Sequence, residues 1–161
     1  MIKNLTLLSF LILTLTLASC TKQLDDKFED NNQQDPISET PAIELLSVST
    51  NEVTAYEESI TFKISYVDGD GDLGTSDPDV HSIELIDNRD ADLFVFGYHL
   101  SPRTPEGSSL TIQGELDIVL DNTILLDETS TSETTTFSIR IKDEAGNWSN
   151  VVETEEVKII N

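Results

Sequence analysis

From Ala42 to the C-terminus, apolar side chains recur at every second residue, and no stretch carries the 3.6-residue period of an amphipathic helix. Ile60, Phe62, Ile64 and Tyr66 alternate with Thr61, Lys63 and Ser65, which is the pattern of a half-buried strand. Phe137, Ile139 and Ile141 alternate with Ser138, Arg140 and Lys142 in the same way. Weaker strand patterns cover residues 43–49, 81–87, 93–100, 110–113, 115–120 and 151–160, the last long enough to be bent or broken near Glu155. Turn-forming residues separate them at 88–91, 101–109 and 127–135, and the Ser/Thr-rich run 128–136 reads as a mobile loop. About seven short strands with no helix long enough for a crossover predict an all-β fold, an antiparallel sandwich.

Charge narrows the function classes. Nine Lys and Arg stand against 31 Asp and Glu, a formal net charge of −22. Such a chain repels phosphate backbones, which argues against nucleic acid as a partner. It also repels anionic lipid unless a covalent anchor holds it there. A single Cys excludes an intramolecular disulfide, and two His argue against a His-rich metal centre.

The cysteine has a specific setting. Lys3 is followed by the uncharged, mostly apolar run from Leu5 to Leu17, too short for a permanent span and suited to a secretory core. Leu17-Ala18-Ser19-Cys20 then resembles the lipobox of bacterial lipoproteins. That resemblance implies removal of residues 1–19 as a signal peptide, acylation (palmitate-type chains) at Cys20 and stable membrane attachment. Residues 20–40 are polar and acidic, with few apolar residues to offset the entropy of ordering, and read as a flexible tether. Residues 41–161 are then the folded domain. Acidic residues soon after Cys20 also resemble the surface-export signals of Bacteroidota lipoproteins, which leaves the periplasmic face of the outer membrane and the cell surface both open.

One segment carries a chemical signal. Residues 68–79 place Asp68, Asp70, Asp72, Asp77 and Asp79 within twelve positions, with glycine alternating through the first part. Carboxylates at this density repel one another, and glycine is costly to order, so the run suits a hard cation that takes six to eight oxygens. The opening of the loop resembles an EF-hand or thrombospondin-type calcium repeat. It then departs, with Leu73 at the sixth position, Asp79 at the twelfth and no flanking helices. Asp-rich loop coordination of Ca²⁺ remains as the expectation; a solvated acidic turn is the plain alternative.

The turn Asp143-Glu144-Ala145-Gly146-Asn147 leading into Trp148-Ser149-Asn150 resembles the final hairpin of bacterial immunoglobulin-like domains. In that arrangement residues 59–67, 81–87, 137–142 and 151–160 are strands B, C, F and G, and the B–C and F–G loops share one end of the sandwich. Asp143 and the side-chain carbonyl of Asn147 then fall beside Asp68, Asp70 and Asp72 as further ligands. Together with the lipobox, the acidic loop and this hairpin resemble a class of small Bacteroidota lipoproteins without an assigned activity.

Catalysis has little to build on. The carboxylates could serve a glycan hydrolase only with one acid held in an apolar pocket, and no serine lies in a nucleophile-elbow context. The expectation is therefore a non-catalytic, lipid-anchored binding module for a protein or glycan ligand, with Trp148, Tyr98 and Arg103 as candidate contacts. Phe94 and Phe96, two apart on a strand, read as core. A structural subunit of an envelope assembly is the alternative.

Overall fold

The computed structural model describes residues 37–161; the signal segment, Cys20 and the tether as far as residue 36 lie outside the described residues. Ten strand segments and no helix are found among the described residues: β1 (Ala42–Val48), β2 (Glu52–Thr54), β3 (Ile60–Asp68), β4 (Ile83–Asp87), β5 (Val95–Tyr98), β6 (Ile112–Leu120), β7 (Ser132–Thr135), β8 (Phe137–Ile141), β9 (Val152–Glu153) and β10 (Val157–Ile160).

Alternation along each strand decides which side chains meet. β3 buries Ile60, Phe62, Ile64, Tyr66 and Asp68 and turns the residues between them outward. β8 does the same with Phe137, Ile139 and Ile141. β3 is central in the sheet β1-β3-β6, and β8 lies in the sheet β5-β4-β8-β9. The ring centroids of Phe62 and Phe137 are 5.1 Å apart, in a tilted aromatic contact across the core between these sheets. This is an all-β sandwich. Its strand order matches the A-B-E and C′-C-F-G order of an immunoglobulin-like arrangement.

The third sheet, β2-β10-β7, continues the second, since only Thr136 separates β7 from β8. The last strand breaks between β9 and β10, around the expected Glu155. Thr154 is buried at the break, donating its N–H to Phe137 O and accepting the Phe137 N–H on Oγ1. Beyond it, β10 pairs antiparallel with β7 and parallel with β2, the one departure from an antiparallel ladder.

Three strand expectations need correction. The Ser/Thr-rich run is not a mobile loop throughout: residues 132–135 form β7, because threonine is β-branched and fits a ladder as readily as a turn. β2 escaped notice because three residues are too few for a period, yet Val53 within it is 1% exposed. The segments 110–113 and 115–120 are one strand, β6, running through Gly114. That glycine faces Tyr66 across the ladder, and a Cβ there would lie 2.7 Å from the Tyr66 hydroxyl, so it makes room for a ring and does not end the strand.

Candidate metal centre

The acidic loop leaves β3 at Asp68 and meets the hairpin after β8 at one end of the sandwich. Leu73 and Asp143 form an isolated antiparallel bridge, Glu144 N–H donates to Asp72 O at 3.1 Å, and Ala145 N–H donates to Asp72 Oδ2 at 3.1 Å. The two loops that the topology predicts to be neighbours are therefore bonded to each other.

Further segments pin the loop from outside. Gly69 O accepts from Thr111 Oγ1 at 2.9 Å, Asp70 O from Leu110 N at 3.1 Å, Gly71 O from Thr104 Oγ1 at 2.8 Å and Leu73 O from Arg103 N at 3.1 Å. Carbonyls from Gly69 to Leu73 thus point outward, and the carboxylates turn in. Gly71 makes this path possible: its φ is +77°, and a Cβ there would lie 2.1 Å from Leu110 O.

Asp68, Asp70 and Asp72 each offer a carboxylate oxygen within 4.8 Å of the others, a group that can hold a metal ion. The Oδ1 atoms of all three are buried and have no hydrogen-bond partner. Asp68 is 0% exposed, and among the described residues its carboxylate accepts one hydrogen bond, from Leu73 N–H to Oδ2 at 3.1 Å. Two carboxylates at this separation repel by about 3 kcal/mol at an effective dielectric of about 20. Burial first, then the charges of Asp70, Asp72 and Asp143, push the Asp68 carboxyl up to about 6. Burial, followed by Asp143 and Asp70, raises Asp72 as well. A solvated turn would leave these carboxylates in water; here each has one oxygen buried without a partner, the condition that a cation or a proton relieves.

Other predicted ligands are placed differently. Asp143 is 3% exposed and stands close enough to raise Asp68 and Asp72. Its Oδ1 accepts Asn147 N–H at 2.6 Å and its Oδ2 accepts Asn147 Nδ2 at 2.9 Å. Asn147 therefore turns its amide nitrogen, not its carbonyl, toward Asp143, and steadies that carboxylate without extending the triad. Asp77 and Asp79 are exposed and close a local turn, with Asp79 N–H donating to Asp77 Oδ1; neither joins the triad.

The candidate ligand contacts do not gather at one place. Trp148 is half-buried beneath two cations, with Arg140 Cζ 4.2 Å and Lys142 Nζ 5.0 Å from its ring centroid. Tyr98 donates its hydroxyl to Val119 O at 3.0 Å, tying β5 to β6. Arg103 is exposed and engages the acidic loop through its backbone. Phe96 packs against the core, as its strand spacing predicts.

Two features escaped sequence reasoning. The clamps from Thr104, Leu110 and Thr111 come from a turn and the start of a predicted strand, neither of which signals contact with the acidic loop. The second is a part-buried ionic network involving β4 and β7: Arg89 bonds the buried Asp87 and, at 2.5 Å, Glu133 Oε2, and donates to Ile124 O at 2.9 Å. Burial works against ionisation of Asp87, but hydrogen bonds from Arg89 and Thr135 outweigh it and hold that carboxyl below its usual range. An Asp-Asn-Arg turn gives no hint of a carboxylate more than forty residues away. Comparison with protein-family models, curated proteins and solved structures returned no match.

Proposed function

We propose that this chain is a lipid-anchored, non-catalytic envelope protein of the Bacteroidota type, whose acidic loop end binds Ca²⁺ and so holds a binding surface for a protein or glycan ligand. The observation that carries the reading is the convergence of carboxylate oxygens from Asp68, Asp70 and Asp72, each of which also has a buried Oδ1 without a hydrogen-bond partner. Oxygen-only donors select a hard cation. Three convergent carboxylates exceed the one or two that Mg²⁺ uses, which favours Ca²⁺. The anchor rests on the resemblance of Leu17-Ala18-Ser19-Cys20 to a lipobox, and the outer membrane on the resemblance to Bacteroidota lipoproteins. A hydrolytic role fits less well, since glycosidase carboxylates stand about 5–9.5 Å apart around a sugar, whereas these offer oxygens within 4.8 Å of one another and each has one buried oxygen.

Isothermal titration of the chain lacking residues 1–20 with CaCl₂ and with MgCl₂ tests the ion. Saturable Ca²⁺ uptake at one site, with a dissociation constant of about 0.1–1 mM, is expected, together with its loss in Asp70→Asn. Absence of uptake refutes the calcium reading, and equal affinity for Mg²⁺ refutes the identity of the ion.

A further inference from the structure

We infer that the ion loop and the cleft beside it form one coupled unit, in which the cleft takes a basic side chain of a partner polypeptide more tightly when Ca²⁺ is bound. This rests on the calcium reading above. The cleft has a volume of about 130 Å³ and is lined by the buried Leu73, by Pro102 and Pro105, and by the acidic residues Asp72, Glu106 and Glu144. No Lys, Arg or His is among its lining residues. Apolar walls suit the methylene stem of a Lys or Arg, and carboxylates suit its charged head. An anionic ligand fits poorly even with the ion in place, because Asp68, Asp70, Asp72 and Asp143 outweigh a divalent charge and Glu106 and Glu144 add to the excess.

The coupling follows from shared residues. Asp72 belongs to both the triad and the cleft, and Leu73 lies between them. One wall hangs on the acidic loop through Thr104 Oγ1 to Gly71 O and Arg103 N to Leu73 O; the other hangs on it through Glu144 N to Asp72 O. Whatever relieves repulsion among the carboxylates therefore steadies both walls. Asp68 gives the second sign of a ligand at the triad: it is 0% exposed, belongs to the converging group, and its Oδ1 is buried without a partner.

The test is an NMR titration of the chain lacking residues 1–20 with acetyl-Gly-Lys-Gly-amide, in CaCl₂ and in EDTA, with acetyl-Gly-Gln-Gly-amide as control. Ca²⁺ should tighten the lysine peptide at least about fivefold, the lower end of ordinary coupling between sites. Shifts should centre on Asp72, Leu73, Thr104, Glu106 and Glu144, and the glutamine peptide should leave them unmoved. A Glu106→Gln/Glu144→Gln variant should lose the peptide while keeping Ca²⁺ uptake. General attraction of a cation to an acidic surface predicts the opposite sign, because the bound ion removes negative charge; equal or weaker binding in Ca²⁺ overturns the coupling. A chain that takes up no Ca²⁺ overturns the calcium reading and the coupling with it. Ca²⁺ uptake without change in peptide affinity overturns the coupling alone.

Discussion

Replacing Asp68 by Asn should stabilise the metal-free protein, and Ca²⁺ should narrow that gain. In the metal-free protein the Asp68 carboxyl is raised from 3.8 to about 6. The native state then holds this proton more tightly than the unfolded chain, so stability is greatest below about pH 4 and falls as pH rises to about 6. A displacement of about 2 pH units corresponds to about 3 kcal/mol, all of it lost by pH 7. Asn keeps the shape and an acceptor for Leu73 N–H but carries no charge, so in EDTA at pH 7 the variant should be more stable by up to about 3 kcal/mol. For a domain of this size that is a rise of up to about 10 °C in Tm. At pH 4 the gain should shrink, because wild-type Asp68 is already protonated. In about 5 mM Ca²⁺ the wild type should gain about 1–2 kcal/mol through mass action, for a dissociation constant of about 0.1–1 mM, and the variant nothing. Thermal unfolding at both pH values, with EDTA and with Ca²⁺, reads all of this. An Asn variant that is less stable than wild type in EDTA at pH 7 refutes the argument, since Asp68 would then be an adequately paired carboxylate.

Arg89→Ala leaves the buried Asp87 without its ionic partner and should cost about 3–5 kcal/mol, measured by urea unfolding. Because Asp87 and Glu133 are held below their ordinary values, the stability they supply should be lost as pH falls below about 4 in wild type, opposite in sign to Asp68 and visible in the same pH series. Gly71→Ala forces a Cβ against Leu110 O at a φ of +77° and should lower stability by at least about 1 kcal/mol while weakening Ca²⁺ uptake by titration. Cys20→Ser should move the full-length protein from the detergent phase to the aqueous phase in Triton X-114 partition; retention in the detergent phase would refute the lipid anchor.

The alternation in β3, β4 and β8 was legible because each is half-buried and long enough to show a period. β2 and β7 were not, since both depend on β10, and their own residues carry no alternation that demands it. The acidic triad was readable from spacing alone. The inward turn of its carboxylates was not, because it is set by bonds from Thr104, Leu110 and Thr111, segments brought there by the chain's topology. Asn147 was misread for a related reason. Its spacing from Asp143 allows either end of the amide to face the carboxylate, and only the hydrogen bonds select the nitrogen.

A deeper regularity lies in the parity of the strands. Counting by twos along β3 from Ile60 ends on Asp68; counting by twos from Phe137 along β8 and one step beyond ends on Asp143. Both carboxylates therefore occupy positions that continue a buried apolar row, at the same end of two facing sheets, and both are buried. An inward-facing carboxylate at the end of such a row is costly unless something compensates it, so the pattern marks the candidate metal centre before any glycine is considered. It also ranks the forces on Asp68: burial by the strand register leads, and Asp143 is one of three charges that add to it. In the metal-free protein, Asp143→Asn should thus lower the Asp68 titration midpoint, followed by carboxyl ¹³C NMR, without returning it to 3.8. A full return would mean that the opposing charge, not the register of β3, sets the chemistry of this end of the sandwich.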